Sequence, residues 1–300
     1  MSSAERLTVR AEDGALLPGE LHAPPARPPW PAMLFIHGSA GLLRWHRRYV
    51  RLLAPEGVAV AMLDHFGPRG IRRTVHDQER LTSEHMARDA HAALAVLAAD
   101  ARIDRRRIGV MGLSKGGSAA WRAALRRFAG SASHRFALHL ALYPGCETRY
   151  ADMTTTGAPM VFVVGLADTY TCPRACFDLV PHLRAGGSPV EIYGLPGAPH
   201  GWDSGAGRWH DPKGVSYAPC RFVEVSPGVW REETSGETWT AGDDAGRRRA
   251  VEACRRFGVS GGGCAASTEL SDRIVRTAVR RALFGAAEAG ARSPRGVSAL

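Results

Sequence analysis

The stretch Gly112 to Gly117, GLSKGG, places a serine between glycines where an apolar segment gives way to a helical one. The pattern G-x-S-x-G is typical of a nucleophilic serine on a sharp turn between a strand and a helix, and its glycines let the two backbones approach closely. A serine at the start of a helix is also a common helix cap. Ser114 is therefore a candidate nucleophile, and its partners decide between these interpretations.

Two further polar residues, Asp168 and His200, follow apolar segments and are candidates for the acid and the proton acceptor that would assist Ser114. Asp168 comes after PMVFVVG, and His200 lies in a Gly- and Pro-rich loop after PVEIYG. A neutral histidine can take the proton of a serine hydroxyl, and a carboxylate can orient the imidazole. The alternatives are that Asp168 caps a helix and that His200 is an ordinary loop histidine. Asp203 is a weaker candidate acid because no strand precedes it.

The elements that must position these residues alternate between two kinds of segment. Apolar runs typical of strands buried on both faces cover 32–38, 57–64, 107–112, 136–143, 159–165 and 189–194. Segments with apolar positions near a period of about 3.6 residues cover 45–54, 77–99, 115–128 and 172–185. The alternation predicts an α/β fold, a mostly parallel sheet with helices on both faces. RLTVRA and ALLPGELHAP predict a leading antiparallel strand pair.

This fold predicts where the polar residues meet. Catalytic groups of such sheets collect outside the carboxyl ends of the strands. The chain order Ser114, Asp168, His200 is that of α/β hydrolases. An oxyanion would then be bound by the amide after the nucleophile, that of Lys115, and by one from the loop FIHGSAG, where we select Ser39 with Gly38 giving the backbone room. The alternative is that FIHGSAG is only a Gly-rich turn after a strand, with no role in binding an oxyanion.

We predict a single domain over residues 1–290. The alternation of strands and helices breaks at about 203–262, where CRFVEV and VWREETSGETW predict an inserted polar hairpin. The last amphipathic helix follows as ELSDRIVRTAVRRALF, and residues 291–300 are expected to form a disordered tail.

Charge and hydropathy exclude several classes of protein. The net charge is +10, yet 37 of the 39 Lys and Arg residues are arginines, scattered in short groups with few aromatic neighbours. This distribution argues against nucleic-acid binding. The first residues carry charges where a signal peptide is apolar, and no apolar run approaches the roughly 18 residues of a membrane span. We therefore expect a cytoplasmic protein with neither a nucleic-acid nor a membrane partner, and the oligomeric state stays open.

Six cysteines stand at 146, 172, 176, 220, 254 and 264. Cys172 and Cys176 resemble half of a zinc site, but no second pair follows, so no metal is predicted. Because Cys146 and this pair follow consecutive apolar runs, we expect the Cα of Cys146 within about 7 Å of that of Cys176 or, less favoured, Cys172. A cytoplasmic protein would keep such a pair as thiols, and a disulfide would count against that location.

The segments FIHGSAG, LDHFGPRGI, GLSKGG, GLADTYTCP and LPGAPHGWD together resemble the dienelactone hydrolase family of α/β hydrolases, over Arg6 to Asp203 and the last helix. The resemblance implies a triad of Ser114, Asp168 and His200, with oxyanion amides from Ser39 and Lys115. It also implies that Asp64 to Gly70 borders the pocket, that Arg69 buttresses this loop, and that Gly38, Asp64 and Trp202 line or support the site. The enzymes that gave the family its name use a cysteine nucleophile, so the resemblance does not extend to dienelactone as substrate.

These observations predict a cofactor-free serine hydrolase that cleaves a small carboxylic ester or lactone through an acyl-enzyme on Ser114. The alternatives are a non-catalytic scaffold of the same fold that binds a small molecule or a partner, and an acyltransferase or peptidase on that fold.

Overall fold

The computed structural model describes residues 4–130 and 133–285. Before residue 200 its strands are β1 (Ala4–Arg10), β2 (Leu16–His22), β3 (Trp30–Ile36), β4 (Ala59–Leu63), β5 (Ile103–Leu113), β6 (Leu138–Leu142), β7 (Thr148–Arg149), β8 (Met160–Gly165) and β9 (Val190–Leu195). All but β7 form one eight-stranded sheet in the order β1-β2-β4-β3-β5-β6-β8-β9. β1 and β2 pair antiparallel, as do β2 and β4, and the neighbours from β4 to β9 are parallel. The predicted α/β-hydrolase fold with its leading antiparallel pair is confirmed.

The sheet is buried because apolar helices cover both of its faces. The helices are α1 (Arg48–Leu53), α2 (Ser83–Ala99), α3 (Lys115–Arg122), α4 (Arg126–Ala129), α5 (Pro173–Ala185), α6 (Asp244–Cys254) and α7 (Ala265–Phe284). Alternate residues of β3 point to opposite faces: Leu34 belongs to the apolar cluster under α2, α3 and α5, and Met33 to the cluster under α1 and α7. Every residue of β3 is buried, as a strand between two helical layers requires.

Three predicted helices differ in their boundaries. The segment 45–54 forms a 3-10 turn and then the short α1, and the segment 77–99 begins as a helix only at Ser83, after the capping residue Thr82. The segment 115–128 divides into α3 and α4, because Leu125 is extended and bridges to Thr155. The period of apolar residues continues across such breaks, so the sequence pattern did not mark them.

The predicted polar hairpin is the centre of a larger structure. Beyond residue 200 the strands are β10 (Trp209–Ser216), β11 (Phe222–Ser226), β12 (Val229–Glu232), β13 (Thr238–Thr240) and β14 (Arg256–Gly261). β11 and β12 form the antiparallel hairpin, β13 extends it, and β7 joins it on the other side. β10 pairs antiparallel with β14, and α6 lies between β13 and β14 in the chain. We call residues 209–261 the inserted segment.

Four of the cysteines form two disulfides. Cys146 is bonded to Cys176 with a Cα separation of 4.9 Å, which confirms the predicted proximity and the neighbouring positions of β6 and β8. Cys220 is bonded to Cys254 inside the inserted segment, a pair that the sequence did not predict. Disulfides persist in oxidising compartments, so both bonds count against the expected cytoplasmic location, which stays a prediction.

Across residues 4–130 and 133–285, no helix has the length and apolar character needed to cross a membrane. The disordered tail predicted for 291–300 lies outside the described residues.

Candidate active site

Ser114 lies on a strained turn between β5 and α3. Its backbone has φ 54° and ψ −120°, a positive φ that side-chain-bearing residues rarely adopt. A Cβ on Gly112 would lie 2.1 Å from the carbonyl oxygen of Gly116, and a Cβ on Gly116 would lie 2.2 Å from that of Ile36. Both glycines are therefore required by close backbone contacts. The Ser114 side chain makes no capping hydrogen bond to α3, so the structure does not use it as a helix cap.

His200 connects Ser114 to Asp168. Its Nε2 lies 3.0 Å from Ser114 Oγ, and its Nδ1 lies 2.7 Å from Asp168 Oδ2. The three residues follow β5, β8 and β9, at the carboxyl edge of the sheet. Asp168 and His200 are both buried, with 7% and 5% of their surface exposed. The structure thus brings together the three side chains singled out in the sequence.

The carboxylate of Asp168 is held by several donors. Its Oδ1 accepts hydrogen bonds from the backbone N–H groups of Tyr170 and Thr171, at 2.7 and 3.0 Å. Its Oδ2 accepts a third from the Thr171 hydroxyl at 2.8 Å and faces His200. The His200 ring packs between the rings of Tyr143 and Tyr170, with centroid distances of 4.9 and 4.6 Å. Carboxylate and imidazole are both fixed in orientation before any ligand binds.

Asp203, the weaker candidate acid, makes no hydrogen bond to His200. Its two carboxylate oxygens accept hydrogen bonds from the hydroxyls of Tyr49 and Tyr143, and Arg48 lies 3.8 Å away. Burial raises the pKa of this carboxyl group. Asp203 therefore belongs to a buried polar network beneath the His200 loop.

Two backbone amides border Ser114. Lys115 N–H is in the first turn of α3, where backbone N–H groups have no partner within the helix. The loop after β3 passes close to the serine, because a Cβ on Gly38 would lie 3.2 Å from the Leu113 carbonyl oxygen and 3.4 Å from Ser114 Cβ. Ser39 follows in this loop and lines the same cleft as Ser114 and Lys115.

The Lys115 side chain is structural. Its Nζ donates hydrogen bonds to the carbonyl oxygens of Gln78 and Leu81, each at 2.6 Å, and the Ser39 hydroxyl donates to Gln78 Oε1 at 3.0 Å. Burial lowers the pKa of Lys115 to about 8. These bonds attach the segment before α2 to Lys115 and to Ser39, the two residues whose backbone amides border Ser114.

The remaining residues predicted to line or support the site lie outside the cleft. Asp64 accepts hydrogen bonds from two backbone N–H groups of its own loop, and Trp202 is fully buried and donates to Ser271 at 3.1 Å. Arg69 donates to the His65 carbonyl oxygen and to the carboxylates of Asp13 and Asp89. The three residues support loops and do not line the cleft beside Ser114.

A cleft that is partly open to solvent lies beside Ser114 and contains Ser39, Ser114 and Lys115 in its lining. Several of its walls come from segments that the sequence did not mark as functional: the turn Gln78–Arg80, the loop after β6, and the inserted segment. The lining residues from the last two are Gly145, Glu147, Thr148, Val215, Tyr217, Ala218, Phe222 and Arg247. No local motif distinguishes them, because each approaches Ser114 only through the tertiary fold. Within the described part of the chain, no group of three His, Cys, Asp or Glu residues is arranged to hold a metal ion.

The sheet order and the strained serine turn define an α/β hydrolase. The sequence model of the dienelactone hydrolase family matches residues 19–219, which is more than half of the chain, and the chain belongs to this family of hydrolases. The resemblance inferred from the sequence motifs is thereby confirmed.

Solved structures show the same fold at low sequence identity. A Klebsiella pneumoniae protein assigned as a dienelactone hydrolase has 20% identity and a TM-score of 0.56, covering 68% of this chain and 89% of its own. The dienelactone hydrolase-like promiscuous phosphotriesterase P91 from metagenomic libraries has 17% identity and a TM-score of 0.55, covering 84% and 95%. Esterase Est2 of Thermogutta terrifontis has 16% identity and a TM-score of 0.52, covering 66% and 83%. A search of curated proteins finds no match to the sequence.

Proposed function

We propose that the protein is a serine hydrolase that cleaves a small carboxylic ester or lactone through an acyl-enzyme on Ser114. The observation that carries the proposal is the hydrogen-bonded chain from Ser114 through His200 to Asp168, which opens onto the cleft. In this proposal the three residues form a catalytic triad, recognised by its geometry and by the roles of its members.

The acylation step follows from the positions of these atoms. His200 Nε2 takes the proton of the Ser114 hydroxyl while Oγ attacks the substrate carbonyl carbon. The negative charge that develops on the carbonyl oxygen is stabilised by the N–H groups of Lys115 and Ser39. His200 then gives its proton to the leaving alkoxide, which departs as the alcohol, and the acyl group stays on Ser114.

Deacylation repeats the same chemistry with water. His200 removes a proton from a water molecule, the resulting hydroxide attacks the ester carbonyl of the acyl-enzyme, and the proton returns to Ser114 as the acid leaves. Asp168 keeps the imidazole in the tautomer whose Nε2 accepts the proton, and it stabilises the imidazolium that forms. Its three donors besides His200 hold it in place for this role.

Two further considerations support an ester substrate. Neighbours with this fold include proteins named as esterases, Est2 of Thermogutta terrifontis and Est22. The site is a concave cleft beside Ser114, a shape that suits a small molecule rather than a folded partner. The proposed mechanism uses only side chains and backbone amides of this chain, so it requires no cofactor.

The test is to replace the nucleophile and measure ester turnover. Ser114→Ala should lower kcat for p-nitrophenyl butanoate by about 10⁴-fold or more, because no other group can form the acyl-enzyme. The matched control is Ser204→Ala, in the loop after His200 but outside the cleft, which should keep wild-type turnover. Retained activity in Ser114→Ala would refute the assignment. A folded wild-type protein that hydrolyses neither esters nor lactones would favour the non-catalytic scaffold.

A further inference from the structure

Many charged and hydroxyl-bearing side chains line the cleft beside Ser114. Pockets for apolar acyl chains are lined mainly by hydrophobic side chains. Here six charged side chains line the cleft, three basic and three acidic: Lys115, Arg122, Arg247, Glu79, Glu84 and Glu147. The hydroxyl-bearing residues Thr82, Ser83, Ser118, Thr148 and Thr171 line it as well. This composition indicates a polar substrate.

Five of the six charged side chains have partners within the protein. Arg247 Nε lies 2.5 Å from Glu79 Oε2, and Arg122 Nε lies 3.2 Å from Glu84 Oε1. Lys115 donates to two backbone carbonyl oxygens. These groups build the walls of the cleft and need no ligand to complete their hydrogen bonds.

Glu147 differs from the other five. Among the residues the structure describes, no other side chain makes a hydrogen bond or ion pair with its carboxylate. The carboxylate folds over Gly145, where a Cβ would lie 2.6 Å from Glu147 Oε2. Burial raises the pKa of Glu147, against the opposing effect of nearby Arg122. The Glu147 residue is only half-buried where it lines the cleft, so its carboxylate can accept a further hydrogen bond from a ligand.

The Glu147 loop is fixed beside the nucleophile. Gly145 N–H donates to the Ser118 hydroxyl at 2.8 Å, and Trp121 Nε1 donates to the Gly145 carbonyl oxygen at 3.1 Å. Both partners lie on α3, the helix that begins directly after Ser114. The disulfide of Cys146 ties the same loop to α5. Glu147 is therefore presented to the cleft by rigid elements, as precise recognition requires.

We propose that Glu147 is a specificity-determining residue that accepts a hydrogen bond from a hydroxyl group of the substrate, so that hydroxylated esters or lactones are preferred. The inference rests on the proposed function. A hydroxyl fits better than an ammonium group, because the six charges of the cleft already balance three to three and an ammonium would approach Arg122 and Lys115. A hydroxyl can donate to Glu147 and also accept from a neighbouring donor.

The test uses matched esters of nearly equal shape. On the acyl side these are the p-nitrophenyl esters of butanoate, 3-hydroxypropanoate and 3-aminopropanoate; on the alcohol side they are propyl and 2-hydroxyethyl butanoate. Wild-type kcat/KM should favour the hydroxylated member of at least one pair by about 10-fold or more, the effect of one hydrogen bond to a charged group. Glu147→Leu should bring this ratio close to one, and Glu147→Gln, which keeps an acceptor oxygen, should retain part of it.

Glu233→Gln is the matched control, because Glu233 is half-exposed on the outer side of the inserted segment and does not line this cleft; it should keep the wild-type ratio. Melting curves report whether each variant folds, and if Glu147→Leu does not, the reduced ratio must appear in Glu147→Gln. No hydroxyl preference in the wild type, an unchanged ratio in the folded Glu147 variants, or a preference for the amino ester over the hydroxy ester would overturn the inference. If hydrolysis depends on Ser114 but the kcat/KM ratios show no preference for hydroxylated esters, only the role of Glu147 is refuted. If no ester is hydrolysed, the proposed function itself is refuted.

Discussion

The central sheet and the inserted segment, residues 209–261, are stabilised in different ways. The sheet lies between two large apolar clusters, and every residue of β3, β4, β6 and β8 is buried. The inserted segment has a separate cluster of six buried residues, Cys220, Phe222, Trp239, Ala250, Val251 and Cys254. It adds a disulfide and the ion pair of Arg247 with Glu79. A cluster this small needs the covalent link more than the sheet does.

This difference separates reactivity from specificity. Ser114, Asp168 and His200 all follow strands of the central sheet, so this buried sheet sets their mutual distances. The inserted segment contributes only to the walls of the cleft, through residues such as Tyr217 and Arg247. We expect substitutions of Ser114, Asp168 or His200 to lower kcat, and substitutions in the inserted segment to change mainly KM and substrate preference.

The largest expected effect concerns Asp168. Asp168→Asn should lower kcat by about 10⁴-fold, because an amide cannot hold the His200 tautomer that accepts the serine proton. Arg247→Gln, on the inserted segment, should change kcat/KM far less, mostly through KM. The measurement is steady-state hydrolysis of p-nitrophenyl butanoate by both variants. Equal losses of kcat in the two variants would contradict the division of roles.

The next effect concerns the stability of the inserted segment. Replacing Cys220 and Cys254 by serine should destabilise this segment by about 2–4 kcal/mol, as expected for the loss of a disulfide that closes a loop of this size. The sequence separation of the pair is 34 residues. Hydrogen exchange should become faster in residues 209–261 and stay slow in β3, β5 and β6. Uniformly faster exchange in both regions would show that the inserted segment is not a separate unit of stability.

A smaller effect concerns acid stability, and it originates in the sheet region. Burial lowers the pKa of His46 to about 3 and the pKa values of His91 and His139 to about 4. In the unfolded chain these groups take up protons near pH 6.5, so the unfolded state binds more protons between pH 6.5 and 4. The free energy of unfolding should therefore fall as the pH falls through that range.

Chemical denaturation at several pH values measures this slope. His139→Asn, which keeps a donor for the Ala120 carbonyl oxygen but cannot titrate, should make the slope shallower. An unchanged slope would show that His139 does not carry this part of the acid sensitivity. The titratable group lies in β6, so the experiment tests the sheet region without altering the inserted segment.

The sequence predicted the sheet better than the inserted segment, for physical reasons. β3, β6 and β8 are runs of apolar residues whose burial follows from composition alone, and Ser114, Asp168 and His200 could be located because each follows such a run. The helix α6 was missed because DAGRRRAVEAC has a glycine and three consecutive arginines, and Val251 is its only large aliphatic residue.

Long-range contacts set the other limit on what the sequence could predict. The proximity of Cys146 and Cys176 was predictable because parallel strands that follow each other in the chain are usually neighbours. No such rule brings β11 beside β7, or Arg247 beside Glu79, so the cleft wall became visible only in the structure. The resemblance implied that Asp64 and Trp202 line or support the site; Asp64 accepts hydrogen bonds within its own loop, and Trp202 donates to Ser271 on α7.

The most direct test of the central claim is covalent labelling of the nucleophile. A fluorophosphonate probe reacts with a serine whose hydroxyl is activated by a neighbouring histidine. Mass spectrometry of the intact protein should show the addition of one probe molecule, and peptide mapping should place it on Ser114. His200→Ala should prevent this labelling at the same probe concentration and time. Labelling at another residue, or equal labelling of Ser114 in His200→Ala, would contradict the account.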